Sequence, residues 1–349
     1  MKAYKLFFVF LFVSSLVLSF SSCRDDDDDD LPEPAPQDLT ITIQDQYTTQ
    51  PAKVSIFFKV DKKDGTPLAG LTDHDFNIYE KGRNDTEANL VSVDEADRQI
   101  SPNSQVFAYN TILVLDLSGS VTNDDLDELK EASKSFVEQV LPLETNEGLE
   151  MSIYWFDGED ELHMLQPFTD EKNLLTDAID GITDNMSNDN STDLYGAIIK
   201  STTIAETILA AYSQINIVSA ASVVIFTDGT DQAARYTKES ALAAVNSASE
   251  QISYYTIGLG SEIDENILEQ LGKNSSAFAE NIDELLDTFN QIASLIDDEA
   301  NSYYLFEYCS PKRDGSGESE LTIEAVYEDL KGSATTTFDA TGFTGGCQL

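Results

Sequence analysis

Basic residues are scarce in this chain. Twenty Lys and Arg stand against 64 Asp and Glu, giving a formal net charge of −44 over 349 residues. A surface this negative repels phosphate backbones, which excludes nucleic acid as a partner. It attracts cations and disfavours acidic partners at long range. Histidine occurs only at His74 and His163, far apart in sequence. Each reads as a surface or strand residue rather than a base. No Cys/His pairing offers a nucleophile with its base. "GLGS" at 258–261 lacks the rest of a phosphate-binding glycine loop, and "LSGS" at 117–120 is not a nucleophile elbow. Paired carboxylates are so common at this charge that finding them means nothing. The chain therefore reads as non-enzymatic. Its one tryptophan, Trp155, reads as core. Aromatic and apolar contents of 9% and 41% are ordinary, so most of the chain is expected to fold.

The first residues stand apart from the fold. Lys2 and Lys5 precede the apolar run "LFFVFLFVSSLVLSF", which closes on Ser21, Ser22 and Cys23. A basic start, a short apolar stretch and small residues at the end make a secretory signal over 1–22. The run is too short to read as a membrane-spanning helix. "FSSC" resembles the lipobox of bacterial lipoproteins. That resemblance implies cleavage before Cys23, lipidation of its sulfur and anchoring to a membrane; the alternative is an ordinary signal with an incidental cysteine. Residues 23–37 carry "RDDDDDDLPEPAPQ", a self-repelling acidic block followed by prolines, and read as a solvated, extended tether. An acidic run just behind the lipidated cysteine resembles the surface-export signal of Bacteroidota lipoproteins. This implies the outer membrane, on the cell surface or otherwise facing the periplasm. Cys309 and Cys347 remain. An exported compartment permits disulfides, so this pair suggests one bridge; two separate buried thiols are the other reading.

From about Asn110 to Asn301 apolar runs alternate with helical patterns. "TILVLDL", "LEMSIYWF", "ASVVIFTDG" and "ISYYTIGLG" are strand-like. "DDLDELKEASKSFVEQVL" sets Leu126, Leu129, Ala132, Phe136, Val137 and Val140 at helical spacing, and "IDELLDTFNQIASLIDDEAN" is a long amphipathic helix. Such alternation predicts a doubly wound, mostly parallel α/β sheet with helices on both faces. The flanks are different: "DLTITIQD", "AKVSIFFKVD", "HDFNIYEKG" and "NLVSVDE" before, "SYYLFEYC", "ELTIEAVYED" and "SATTTFDATGF" after. Neither flank is comfortable alone as a sandwich, and together they suffice. We therefore expect a β-sandwich from residues 38–109 and 301–349, with the α/β domain of residues 110–300 inserted; two small β-domains in tandem is the alternative.

In an open parallel sheet, ligands bind at the carboxyl ends of the strands. "ILVLDLSGS" ends its strand in Asp116 and follows with Ser118, Gly119 and Ser120; "IFTDG" ends in Asp228; "STDLYGAI" brings Thr192 to a helix start, where it could also be an N-cap. Carboxylates plus hydroxyls, with no His or Cys, suit a hard cation such as Mg²⁺, which takes octahedral oxygen ligands and keeps waters. The three pieces, in this order, resemble the metal-ion-dependent adhesion site of the von Willebrand factor A domain. The resemblance covers about 110–296. It implies that Ser118 and Ser120 bind the ion directly, that Asp116 and Asp228 act mainly through waters, and that Thr192 joins in the ligand-bound form. The ion is Mg²⁺ first, with Mn²⁺ or Ca²⁺ as alternatives. The function implied is binding of a partner protein's acidic group at the ion's open position. The competing reading is a structural or assembly scaffold of a cell-envelope complex, with metal serving stability only. A metal-using hydrolase finds no general base. "DGEDE" at 157–161 reads as a solvated turn, and "TDNMSNDNSTD" at 183–193 as a loop on the metal face. The N-x-Ser/Thr triplets at Asn84, Asn190 and Asn274 read as accidental.

Overall fold

The computed structural model describes residues 37–101, 107–119, 126–141, 148–312 and 317–349. The signal, Cys23, the acidic run and Ser120 lie outside the described residues. The strands are β1 (Leu39–Thr49), β2 (Lys53–Lys62), β3 (Phe76–Lys81), β4 (Asn89–Val91), β5 (Arg98–Ser101), β6 (Phe107–Asp116), β7 (Leu149–Phe156), β8 (His163–Thr169), β9 (Val218–Thr227), β10 (Ile252–Leu259), β11 (Ser275–Ala279), β12 (Tyr303–Cys309), β13 (Glu318–Tyr327) and β14 (Leu330–Asp339). The helices are α1 (Leu126–Val140), α2 (Lys172–Asp180), α3 (Leu194–Gln214), α4 (Lys238–Ser247), α5 (Glu265–Leu271) and α6 (Leu285–Ala300). Among the described residues no helix is long and apolar enough to cross a membrane.

The central sheet has six strands in the order β11-β10-β9-β6-β7-β8. All its pairings are parallel except β7 with β8. β6 and β9 are buried along nearly their whole length, as a two-sided sheet requires. Their residues alternate between two cores: Leu113, Leu115, Val224 and Phe226 pack on one face, Ile112, Val114, Val223 and Ile225 on the other. The first face is closed by α1 and α6, whose Phe136 and Phe289 meet edge to face at 6.0 Å. The second is closed by α3, α4 and α5. The chain runs outward from β6 in both directions, so the sheet has its topological switch between β6 and β9.

The flanks build two antiparallel four-stranded sheets, β1-β2-β12-β5 and β14-β13-β3-β4, each mixing strands from before and after the α/β domain. Their facing sides share one core of Val54, Ile56, Phe58, Phe76, Phe306 and Ile323 among others. This is the sandwich-flanked α/β class that the hydrophobic periods predict. Cys309 and Cys347 are bridged, with Cα atoms 5.7 Å apart, which ties the end of β12 to the C-terminal tail.

Period-2 alternation also joins the sandwich to the α/β domain. On β2 and β12, Ile56, Phe58, Tyr304 and Phe306 face the sandwich core, while Phe57, Tyr303 and Leu305 face the α/β core. Tyr303 stacks on Phe107 of β6 at 4.3 Å. Polar residues share these strands. Glu307, 6% exposed, takes the Lys53 ammonium at 2.6 Å and hydroxyls of Ser55 and Ser101 at 2.9 and 2.5 Å. Burial pushes its carboxyl up, but Lys53, Ser101, Ser55 and Gln99 outweigh that and hold it at about 2 instead of 4.5. The unfolded chain therefore takes up this proton first as pH falls. Glu307 contributes full stability above about pH 4.5, and the contribution fades toward pH 2, by at most about 3 kcal/mol. Urea unfolding from pH 6 to 2 checks this: Glu307→Gln is expected to flatten the slope across that window, and an unchanged slope refutes it.

Candidate metal centre

Asp116 ends β6 at the switch point and is fully buried. Its Oδ1 accepts the Ser118 N–H at 2.9 Å, which curls the chain after the strand into a tight turn. Its Oδ2 accepts the Thr227 hydroxyl at 2.7 Å, across from the end of β9. Thr227 also accepts the Gly229 N–H at 3.2 Å and so shapes the turn that carries the half-buried Asp228. Ser118 and Thr192 are buried, and the Thr192 hydroxyl donates to Ser118 Oγ at 3.2 Å. The structure thus brings Asp116, Ser118 and Thr192 together, with Asp228 close enough to act on Asp116 electrostatically.

Thr192 is not the helix cap. Asp193 caps α3, accepting the Gly196 N–H at 3.3 Å. Thr192 precedes the cap, and its carbonyl takes the N–H groups of Gln232 and Ala233 at 2.9 and 3.1 Å. This leaves its hydroxyl for the crevice. Gly119 is required for closeness rather than for an unusual backbone angle: a Cβ there would lie 2.8 Å from Asn190 Cγ. Asn190 therefore seats the Ser118 turn against the Thr192 loop.

Asp157 corrects the reading of "DGEDE" as a solvated turn. It is fully buried just past β7. Its Oδ2 accepts from Ser187 Oγ, Asn188 N and Asp189 N at 3.0, 3.0 and 3.2 Å, and its carbonyl accepts the Asp193 N–H at 2.9 Å. It organises the whole approach to Thr192. Gly158 follows because a Cβ there would come within 2.5 Å of Asp189 Cγ. Sequence reasoning missed both Thr227 and Asp157. Thr227 had a signal, a hydroxyl at the end of a buried strand beside Asp228. Asp157 had none beyond its place after a strand that neighbours β6.

The donors fit a hard divalent ion. Asp116, Ser118, Thr192 and Asp228 offer oxygen only. Burial, and next the charge of Asp228, push the Asp116 carboxyl from 3.8 to about 7. A cation in the crevice relieves both effects, since an opposite charge favours the ionised carboxylate.

No curated protein sequence matches the chain. Among solved structures, proximal thread matrix protein 1 from the mussel byssus, described with a zinc-occupied MIDAS motif, is 17% identical over 55% of this chain, at a TM-score of 0.46. This chain covers 48% of that protein, about half its length. A von Willebrand factor type A protein from Catenulispora acidiphila is 9% identical over 87% of this chain and 74% of its own, at a TM-score of 0.46. The vWF domain of the type V pili tip protein Mfa5 from Porphyromonas gingivalis is 15% identical over 54% and 95%, at a TM-score of 0.43. The von Willebrand factor type A domain family, whose members commonly hold a divalent metal at this crevice, matches residues 110–297, more than half of the chain, and the chain belongs to that family.

Proposed function

We propose that this chain is a divalent-metal-dependent binding module that captures a partner protein through a carboxylate. The observation that carries this is the buried Ser118–Thr192 hydroxyl pair beside Asp116 and Asp228, at the switch point of a parallel sheet. Ser118 and Ser120 would hold the ion directly, Thr192 would join when a ligand is bound, and Asp116 and Asp228 would act mainly through waters; Mg²⁺ is the first choice, with Mn²⁺ or Ca²⁺ next. When bound, the ion supplies an open electrophilic position for an incoming oxygen ligand. The protein's own groups do the rest. Thr227 and the Ser118 N–H fix the Asp116 carboxylate, and Asp157 and Asn190 hold the Thr192 loop against it. The net charge of −44 adds selectivity: an acidic partner is repelled until one carboxylate reaches the ion. The sequence around Cys23 supports anchoring by lipid to the outer membrane, with the acidic tether carrying the folded part to the cell surface.

The test is retention on a library of acidic peptides in Mg²⁺ and in EDTA. Thr192→Ala is expected to lose retention by at least about tenfold, the usual scale for losing a group near a bound ion, while keeping most of the metal affinity. Thermal unfolding reports the metal: at about 100 times its dissociation constant it adds about 2.7 kcal/mol. Retention that persists in EDTA sinks the adhesion reading and favours an envelope scaffold in which the metal serves only stability.

A further inference from the structure

The turn between β7 and β8 carries a second group of metal-ligating side chains, chemically unlike the first. β7 and β8 run antiparallel with Trp155 paired to His163, so residues 157–162 form the turn. One ligand atom each from Asp157, Glu159 and His163 falls within 4.8 Å of the others. We propose that these three residues form a second, independent cation site that takes a borderline transition ion of the Zn²⁺ class.

The imidazole is the strongest part of the case. His163 Nε2 is buried and has no hydrogen-bond partner among the described residues. Glu159 Oε2 lies 3.7 Å from it, too far for a hydrogen bond. That separation is what two ligands of one ion show: with bonds of about 2.0–2.2 Å, neighbouring ligand atoms stand roughly 3–4 Å apart. A buried imidazole nitrogen aimed at a carboxylate without bonding it needs an explanation, and a bridging cation supplies one. The ring is also held in place. It stacks on Trp155 with centroids 4.0 Å apart and planes 14° apart. Its far nitrogen, Nδ1, lies 4.0 Å from Glu161, beyond hydrogen-bond distance.

Asp157 has capacity to spare. Its Oδ2 holds the 187–189 loop, while Oδ1, among the described residues, accepts only the Glu159 N–H at 2.8 Å and keeps a second lone pair. That N–H bond also draws Glu159 back over the turn toward His163. One imidazole with two carboxylates selects differently from an all-oxygen site. Nitrogen donors favour Zn²⁺, Co²⁺ or Ni²⁺ over Mg²⁺. An ion here would clamp the β7–β8 turn to the carboxylate that holds the Thr192 loop.

Trp155 gives a direct readout, being the only tryptophan in the chain and in contact with His163. The metal-stripped protein is titrated with Co²⁺ while Trp155 emission and the visible absorption of the cobalt are followed. A saturable quench with new absorption bands is expected. Excess Mg²⁺ should leave both in place, and Zn²⁺ should remove both by displacement. Glu159→Gln, which keeps the His163–Trp155 stack, is expected to weaken Co²⁺ binding by at least about tenfold. His163→Ala should abolish it, and Asp116→Asn should not affect it. The proposal fails if no saturable quench occurs. It also fails if Glu159→Gln binds Co²⁺ as the native chain does, or if Asp116→Asn removes the quench, because the ion then sits in the crevice already described.

Discussion

Lys59→Met is expected to lower the free energy of unfolding by about 3–5 kcal/mol, the cost of removing one partner from a buried ion pair. Lys59 lies on β2 with its ammonium 2.8 Å from Glu299 and 3.0 Å from Asp61. Glu299 sits in the last turn of α6 and is 6% exposed. Burial pushes the Glu299 carboxyl up, Lys59 opposes it, and Asp61 adds to it. Burial pulls the ammonium down, and the two carboxylates more than reverse that, leaving it raised. The cation is therefore what makes this acidic corner tolerable. Methionine keeps the stem's packing against Tyr303, whose ring the ammonium overlies at 5.7 Å, but leaves two carboxylates facing each other. The triple variant Lys59→Met, Asp61→Asn, Glu299→Gln should recover most of the loss, because no stranded charge then remains. Urea unfolding at neutral pH measures both. A loss below about 1 kcal/mol would put the pair in the class of solvent-screened surface bridges and refute the buried reading. The pair matters beyond stability because it fastens the end of α6 to the sandwich.

How much of this was legible depended on whether an element buried its own side chains. β6, β9 and β10 read plainly because a strand covered on both faces is apolar throughout, and α1 read plainly because Leu129, Ala132, Phe136, Val137 and Val140 repeat at helical spacing. The 4-residue β5, Arg98–Ser101, has every side chain only half-buried, so no period marks it. "NLVSVDE" promised a longer strand than the 3 residues of β4, because its sheet edge ends in a turn where Glu95 accepts the Ser92 N–H. At the crevice, Asp116, Ser118, Thr192 and Asp228 were legible because each lies within two residues of an element's end at the carboxyl edge of the sheet. Asp157 was not. In a chain with 64 acidic residues one more aspartate in "DGEDE" looks solvated, and only the fold reveals that three donors from residues 187–189 converge on it. Thr192 was legible as a helix-start hydroxyl but mistaken for a possible cap, since Asp193 beside it has the better geometry for that task.

Asp116→Asn is expected to stabilise the metal-free protein at neutral pH and to lose the stabilisation that metal gives the native chain. In the metal-free protein the Asp116 carboxyl titrates near 7, raised by burial and then by Asp228, against 3.8 ordinarily. Between those values the folded chain holds a proton that the unfolded chain has lost. Stability therefore falls as pH rises from about 4 to 7, by an amount on the order of 4 kcal/mol if the shift is fully realised. Asparagine cannot ionise, so the metal-free variant should be more stable than the native chain at neutral pH, and its stability should be flat across that window. Thr227 can still bond an asparagine oxygen, which keeps the strand ends joined. Mg²⁺ should close most of that gap. The native chain gains about 2.7 kcal/mol at 100 times the dissociation constant, and the variant gains little. Thermal or urea unfolding of both proteins at pH 5 and 7.5, in EDTA and in Mg²⁺, gives all the comparisons needed. If the variant is less stable than the native chain in EDTA at pH 7.5, then Asp116 is a structural acceptor whose charge costs nothing, and the crevice is not built around a cation. If the variant is more stable in EDTA and unresponsive to Mg²⁺, the native protein keeps a repulsive pair of carboxylates at its switch point that only a bound ion relieves. Such a pair has no value to the fold itself, and that outcome would support the proposed metal-dependent binding.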